Sequence, residues 1–488
     1  MLRSSSSTPD SLWDVLIIGA GFAGLALALA LQRQDTMRFV VLEQGDSPGG
    51  TWRDNRYPGC ACDVPSHLYS LSSGPAWDWP RRYGSGRDIE AYLKQVASSV
   101  AQHIRYRHGV RSARWDEERQ CWQVECAAIT LQARVLINAT GPLTEPALPP
   151  IDGLETFAGP VVHSARWPAS LDLDGRRVAL IGTGASAIQI APAIVAKVAQ
   201  LTIFQRNAPW VVARADHAYA PRWRQLWQRF PWTRKLYRSY LYWRQESRGI
   251  AFMHPRIMAW TSRSLLRQMQ RQISEASLRQ RVTPTTPMGC QRILLADDWW
   301  STLQQPHVTL TNRPIARVTP VGLIDDEGTV HGADVLLLAT GFRYQDNPMA
   351  ERFMGRHGKS LAACWHQQRG AFFGMMLPDF PNFFLMTGPH SGLGHNSILF
   401  MIEAQVKGIL RLLKLGAQRG SPRLCVRPAV YHDFLDEMNR RSQNTPWMQG
   451  CQSWYLDSQG RNTALWPGYS FAYWWRVQRI KIEDVIDD

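Results

Sequence analysis

Seventeen residues without a charge run from Val15 to Leu31, behind Asp10 and Asp14, and three glycines fall in the first half of that run. Its apolar length approaches that of a signal peptide or a short membrane span, but Gly19, Gly21 and Gly24 argue for a different element. A buried strand over Val15-Leu16-Ile17-Ile18, a glycine turn and a helix from Leu25 to Leu31 account for the same apolarity as one buried βα unit. The pattern then returns: Val178-Ala179-Leu180-Ile181 leads into Gly182-Thr183-Gly184-Ala185-Ser186-Ala187 and opens another helix-like run. A second echo joins Val135 to Gly141 and Val335 to Gly341, apolar strands that both end in Ala-Thr-Gly.

Self-similarity of this kind predicts two copies of one supersecondary plan. Because the second glycine turn lies between the two Ala-Thr-Gly strands, one copy nests inside the other and the first is discontinuous. The expected fold class is α/β, with two nested Rossmann-like dinucleotide-binding domains and a helical insertion. The expected boundaries are 12–155 and 333–488 for the discontinuous first domain, 156–217 and 288–332 for the second, and 218–287 for the insertion. Between Arg222 and Arg281 the chain carries fourteen Arg or Lys against two Glu, Glu246 and Glu275, so this block holds +12 of the chain's net +15. Trp and Tyr recur there at helical spacing, and Pro221, Pro284 and Pro287 punctuate its ends. Two readings stand: a solvated basic face over a Trp-rich core, or a peripheral contact of 222–281 with a membrane surface or an acidic partner.

Composition narrows the classes. With 488 residues, 45% of them hydrophobic and 21 of them Trp, the chain is too large for a small binding module and too apolar for wholesale disorder. Only seven of the 55 basic residues are Lys, a bias toward Arg that speaks for coding composition as much as for an anionic partner, and no nucleic-acid partner is expected. Eight Cys, of which only Cys60 and Cys62 lie close together, match neither a disulfide framework nor a zinc site. A reducing, cytoplasmic setting without a bound metal is the expectation.

The first glycine turn gains weight from its context. It follows an apolar strand, opens a helix, and is followed nineteen residues after Gly24 by Glu43 at the end of the strand Phe39-Val40-Val41-Leu42. Glycines let a pyrophosphate approach the helix N-terminus, and the carboxylate takes ribose hydroxyls, so a dinucleotide is expected here. The second turn offers Gly182, Thr183, Gly184 and Ser186 but lacks the third glycine, and the strand Leu201 to Gln205 ends in Arg206 where an NAD site would place an acid. A guanidinium pairs with a ribose 2′-phosphate, which favours NADPH over NADH unless Arg206 merely caps a strand edge. Two dinucleotide folds suggest FAD with NADPH. No Cys pair stands at a spacing that would make the protein a disulfide reductase, which leaves a flavin reduced by NADPH that then meets something small, such as dioxygen.

Two longer patterns refine this. Phe157-Ala158-Gly159-Pro160-Val161-Val162-His163-Ser164-Ala165-Arg166-Trp167-Pro168 resembles the Phe-x-Gly-x-x-x-His-x-x-x-Trp-Pro fingerprint of type I Baeyer-Villiger monooxygenases, and it lies between the two glycine turns as it does in that family. Gly50-Thr51-Trp52, followed by Tyr57-Pro58-Gly59 and Asp63, resembles the family's other signature. The resemblance runs from Asp14 to about Val477 and includes Gly289-Cys290-Gln291-Arg292 and the segment Gly388 to Ser397. It implies an oxidoreductase that uses NADPH and dioxygen to convert a ketone into an ester or lactone by way of a flavin peroxide. Arg292 then matches the catalytic arginine, a cation that keeps the peroxide deprotonated and stabilises the negative adduct, and Asp63 matches the acid that orients it. Gly50, Thr51, Trp52 and Asp63 join the cofactor-binding candidates, as does Trp447, which with Gly450 and Cys451 resembles a mobile segment that folds over NADP. For His163 a hinge or cofactor-coupling role is expected rather than proton transfer, and Trp167 can be simple packing. Many relatives place Lys where this chain has Gln291, which leaves more of the 2′-phosphate to Arg206. The Trp- and Tyr-dense run to Trp475 reads equally as core and as a substrate lid over Trp454, Tyr455 and Gly460. The alternatives are an N- or S-oxygenase of the flavin-containing kind, against which Arg292 and the Trp-Pro ending speak, and a non-enzymatic NADPH-sensing flavoprotein.

Overall fold

Trp13–Ile18 forms the central strand of the first sheet and pairs in parallel with Phe39–Leu42 on one side and Thr130–Asn138 on the other. The computed structural model describes residues 12–486, apart from 128, 422, 451 and 452. Cys451, assigned above to the segment over NADP, lies outside the described residues. The register sets Ile18 opposite both Leu42 and Asn138, so the glycine turn, Glu43 and the first Ala-Thr-Gly turn all emerge at one edge. Val15, Leu16 and Ile17 are wholly buried, and the helix after the turn, Phe22–Gln34, is buried around most of its circumference. An apolar run of this kind satisfies its backbone inside the sheet and sheds its apolar surface onto both faces, as expected of a parallel core strand. Among the described residues no helix is long and apolar enough to cross a membrane.

Five parallel strands make the second sheet, in the order Val308–Thr311, Gln200–Phe204, Arg177–Ile181, Val335–Leu338 and Val161–His163. Here the structure corrects the expected domain boundary at 333. Val335–Leu338 lies between Arg177–Ile181 and Val161–His163, so the chain through the second Ala-Thr-Gly turn belongs to the second sheet. It returns to the first only with Phe353–Met354 and Phe383–Leu385. The physical reason is that an apolar strand flanked by parallel neighbours is buried on both faces, and only the centre of the second sheet offers that to Val335–Leu338.

Residues 218–287 hold four helices, Pro221–Arg229, Pro231–Met253, Pro255–Gln272 and Ala276–Val282. Proline stands at the first position of three of them, where its missing N–H costs nothing and its fixed φ suits a helix start. The one acid of the long helix Pro231–Met253, Glu246, is buried and anchors the insertion: it accepts hydrogen bonds from Asn396 Nδ2 at 2.5 Å, Ser470 N at 2.6 Å and Ser470 Oγ at 2.7 Å. Burial pushes the Glu246 carboxyl up, but His395, Ser470 and Asn396 outweigh it and hold the group below the usual carboxylate range. That gives the His-Asn part of the Gly388 to Ser397 segment a structural task, binding the insertion to the body of the protein.

Candidate active site

At the first glycine turn Gly19 has φ of 105°, and a Cβ there would stand 2.7 Å from the Ala139 carbonyl oxygen. A side chain would push the first Ala-Thr-Gly turn away from the strand end, so glycine is required for both the conformation and the close approach. The helix that follows begins at Gly21 without a side-chain cap, leaving its first N–H groups to point out of the turn, as a pyrophosphate site demands. Gly24 packs its helix directly against the Gly19 carbonyl. Glu43 is buried beneath the turn, where Oε2 accepts from Ala20 N at 2.8 Å, and Oε1 accepts from Gly45 N at 2.8 Å and Arg53 Nη1 at 2.7 Å. With one donor on Oε2 the carboxylate keeps acceptor capacity for a ribose hydroxyl. Arg53 is a neighbour that sequence reasoning missed, although it directly follows Trp52. Gly50 and Thr51 open the short helix Thr51–Asp54 beside Gly21, and Trp52 Nε1 donates to the Tyr69 hydroxyl at 3.2 Å. These residues fit an adenine dinucleotide such as FAD.

The second turn repeats the geometry. Gly182 has φ of 106° against the Ala339 carbonyl, no heavy atom lies within 4 Å of where a Gly184 Cβ would stand, and the helix Ala187–Ile194 starts after Ser186 without a side-chain cap. Thr183 Oγ1 donates to the Asn207 carbonyl, steadying the turn. Arg206, two residues beyond the strand Gln200–Phe204, is exposed and forms no ion pair with a described residue, so its guanidinium faces solvent at the same edge as the turn. These residues fit NADP.

The fingerprint segment fastens the second sheet. His163 is buried at the end of its edge strand, with Ala165 N–H donating to Nδ1 at 3.1 Å, which puts the proton on Nε2, and Nε2 donates to the Gly341 carbonyl at 3.1 Å. Burial holds its pKa below the ordinary histidine value, so the ring is neutral and positioned for a structural bond to the second Ala-Thr-Gly turn. Phe157 lies in the core beside that sheet, Gly159 passes against the Asp334 carbonyl, and Trp167, next to Pro168, packs half-buried on the second core.

Asp63 and Arg292, far apart in sequence, meet: Arg292 Nε donates to Asp63 Oδ2 at 2.9 Å and Nη2 donates to the same oxygen. The Arg292 side chain is 40% exposed, so part of the guanidinium stays open to a small molecule. The attraction of Asp63 raises the Arg292 pKa above its ordinary value against the opposing effect of burial, so the cation persists. Gly289 explains how the loop approaches: its absent side chain would meet Phe252, Met258 and Pro446 from three different segments. Two residues beyond Arg292 the strand Leu294–Leu295 pairs with Val211–Val212 and fixes the loop from the other side.

The loop of Arg292 borders one apolar cluster that includes Trp210, Phe252, Met288, Tyr344, Trp447 and Tyr455. Burial pushes the Tyr455 hydroxyl up to about 12 against the opposing influence of Arg292, so it stays neutral beside the cation. Trp447 is buried against Phe252 within this cluster, and Trp454 stacks half-exposed on Tyr455 and Tyr344. Trp447 and Tyr455 are buried, while Trp454 lies at the rim. Cys290, wholly buried, is disulfide-bonded, which departs from the expectation of a uniformly reduced chain, whereas Cys60, Cys62, Cys121, Cys126, Cys364 and Cys425 are free thiols.

The loop that carries Asp63 is clamped across the two nucleotide folds by Gln189, on the helix opened by the second glycine turn. Its Oε1 accepts from the Tyr57 hydroxyl at 3.0 Å and from Ala61 N at 3.3 Å, and its Nε2 donates to the Ala61 carbonyl at 3.0 Å. No sequence signal marks Gln189, because its partners lie 132 and 128 residues away.

Residues 16–228 match the family model described as pyridine nucleotide-disulphide oxidoreductase, the portion with both glycine turns. A Baeyer-Villiger monooxygenase of Streptomyces coelicolor is 42% identical over 475 residues, covering 96% of this chain and 92% of that protein. One of Pseudomonas aeruginosa is 37% identical over 465 residues, covering 94% and 88%. Among solved structures, OTEMO in complex with FAD and NADP superposes with a TM-score of 0.88 at 22% identity over 98% of this chain and 99% of that one, a likeness of fold. An oxidised steroid monooxygenase bound to NADP gives 0.86 at 25% identity over 98% and 100%. With identity of this extent running through both nucleotide folds and the loops that bring Asp63 to Arg292, the chain belongs to the Baeyer-Villiger monooxygenase family.

Proposed function

We propose that this protein converts a ketone into an ester or lactone with NADPH and dioxygen as co-substrates, at the open side of Arg292. The observation that carries the reading is the Arg292–Asp63 pair, a permanent cation held in one orientation beside an apolar wall. FAD, held by the turn Gly19 to Gly24, Glu43 and the Gly50 to Trp52 segment, would supply the redox chemistry that activates dioxygen. The chain's own part is electrostatic. Negative charge develops on the ketone oxygen as its carbonyl is attacked, and a preoriented guanidinium in a water-poor site stabilises that charge without reorganising. Asp63 spends two of the five guanidinium N–H donors and leaves the others for the reacting groups. NADPH is chosen over NADH by Arg206, supported by its exposed position at the strand end beyond the second glycine turn.

The test is a panel of linear, cyclic and aryl ketones with purified yellow protein, NADPH and air, scored for product by gas chromatography. Ester or lactone formation that requires NADPH supports the reading. Oxygenation of amines and thioethers with no ester from any ketone transfers the assignment to an electrophilic oxygenase. NADPH oxidation without any product favours the sensor.

A further inference from the structure

The outer face of the long insertion helix Pro231–Met253 carries a row of exposed apolar side chains, interrupted by Ser247. Trp232, Leu236, Tyr240 and Trp243 are 61, 61, 58 and 57% exposed, and Ile250 continues the row. At about 100° per residue these five positions fall within roughly 80° of one another, a single stripe on one side of the helix. The stripe extends onto a second element: the Trp243 ring lies 6.1 Å from that of Phe471, which opens the C-terminal helix Ser470–Val477, where Trp474 and Trp475 are also exposed. Soluble monomers rarely leave contiguous aromatic surface of this kind uncovered.

Cations border the stripe. Lys235 and Arg244 are exposed on its two sides, the Lys407 ammonium sits 5.8 Å from the Trp474 ring, and the Arg479 guanidinium stacks 3.8 Å over Trp475. Of the fourteen basic residues between Arg222 and Arg281, only Arg224, Arg238 and Arg281 form ion pairs among the described residues. The only acid of the helix, Glu246, is turned inward to Asn396 and Ser470. The face is therefore aromatic and positive without a compensating carboxylate on its own helix.

We propose that this face docks the protein on an anionic lipid bilayer, with the Trp and Tyr rings seated at the headgroup level and the cations on lipid phosphates. Charge decides among occupants. A second copy packed on the same patch would set this positive surface against itself, a repulsion that self-complementary interfaces avoid. An anionic bilayer meets both the aromatic rings and the charge. The helix that carries the stripe outside also carries Phe252 inside, against Gly289 and Trp447 beside Arg292. If the ketone-oxidising reading holds, docking brings one wall of the site to the bilayer and suits a lipid-soluble ketone, but the docking itself does not depend on that reading.

The experiment is co-sedimentation of the flavin-loaded protein with vesicles of phosphatidylcholine alone and of phosphatidylcholine mixed with phosphatidylglycerol. Binding is expected to the mixed vesicles only, and to fall as salt rises, because exposed charges are screened beyond about 10 Å at 0.1 M. Lys235→Gln with Arg244→Gln is expected to weaken it about thirtyfold, roughly fivefold per cation. Trp232→Ser, Leu236→Ser and Trp243→Ser together are expected to abolish it while flavin content and turnover of a water-soluble ketone stay at wild-type values. Equal binding to both vesicle types, or binding untouched by the triple variant, overturns the proposal. So does a concentration-dependent dimer that the triple variant dissolves, which would assign the face to a second copy. Should the triple variant lose flavin or fold, the salt titration and the double cation variant decide.

Discussion

Arg292→Ala removes the cation but leaves its partner. In the native protein the Asp63 carboxylate is neutralised by two N–H donors from Arg292, one of them at 2.9 Å. Without the guanidinium, a bare carboxylate faces the space in which a ketone oxygen must become negative. Two penalties add. Loss of one oxyanion-stabilising group costs about 2.7–4 kcal/mol, which is about 10²–10³ in rate. A bare carboxylate beside the developing negative charge adds repulsion, about 4 kcal/mol at about 4 Å for an effective dielectric of about 20 and less with distance. Ester formation should therefore fall by at least about three orders of magnitude. Flavin should remain bound, since the glycine turn at Gly19 and the Glu43 network share no hydrogen bond with Arg292. The double variant Arg292→Ala with Asp63→Asn should recover part of the loss, because it removes the repulsion without restoring the cation. Asp63→Ala alone should be milder than Arg292→Ala, since the charge remains and only its orientation is lost. Arg292→Lys should fall between, because an ammonium keeps the charge but cannot reproduce the Nε and Nη2 fork on Asp63. Ester, NADPH consumption and hydrogen peroxide are measured side by side, so that loss of oxygen transfer shows as uncoupled NADPH oxidation. Near wild-type ester formation by Arg292→Ala would refute the electrostatic role. A double variant worse than Arg292→Ala would refute the repulsion argument while leaving the role of the cation intact.

Arg206→Ala should raise the Michaelis constant for NADPH by the worth of a charge-assisted bond, about 1.5–3 kcal/mol, and leave that for NADH nearly unchanged; equal effects on both coenzymes would reject the assignment. Gln189→Ala cuts the clamp between the Tyr57 to Ala61 loop and the second fold, and should lower the melting temperature and the turnover number together while the yellow protein stays loaded; a drop in melting temperature with unchanged turnover would make Gln189 a purely structural residue. Glu246 has a carboxyl pKa held below its unfolded value, so its stabilising contribution is present above the unfolded pKa of about 4.3 and is lost as pH falls through the lower folded value. Glu246→Ala should cost about 3 kcal/mol at neutral pH, by leaving donors from Asn396 and Ser470 unpaired, and should flatten the acid limb of the stability curve measured by denaturant titration.

What the chain determined by itself is local and periodic. The βα units were legible because a buried parallel strand, a glycine turn and a buried helix are each written in consecutive residues, as from Val15 to Leu31 and again from Val178 to Ala187. Asp63, His163 and Arg292 stood out only through resemblance to a family's spaced signatures, not through any local pattern of their own. Tertiary structure decided everything that depends on which distant segments touch. Val335–Leu338 is legible as a strand, but the sequence boundary at 333 put it with the first domain, whereas its pairing with Arg177–Ile181 and Val161–His163 places it in the second sheet. Gln189 and Arg53 carry no pattern of their own, because their value lies in partners that folding supplies, Tyr57 and Ala61 for one and Glu43 for the other. Trp447 and Trp232 are the same residue type in aromatic-rich surroundings, yet one is buried beside Phe252 and the other faces outward. Composition cannot separate them, because burial is a property of the packed faces, and periodicity shows which residues share a face without showing what, if anything, will cover it.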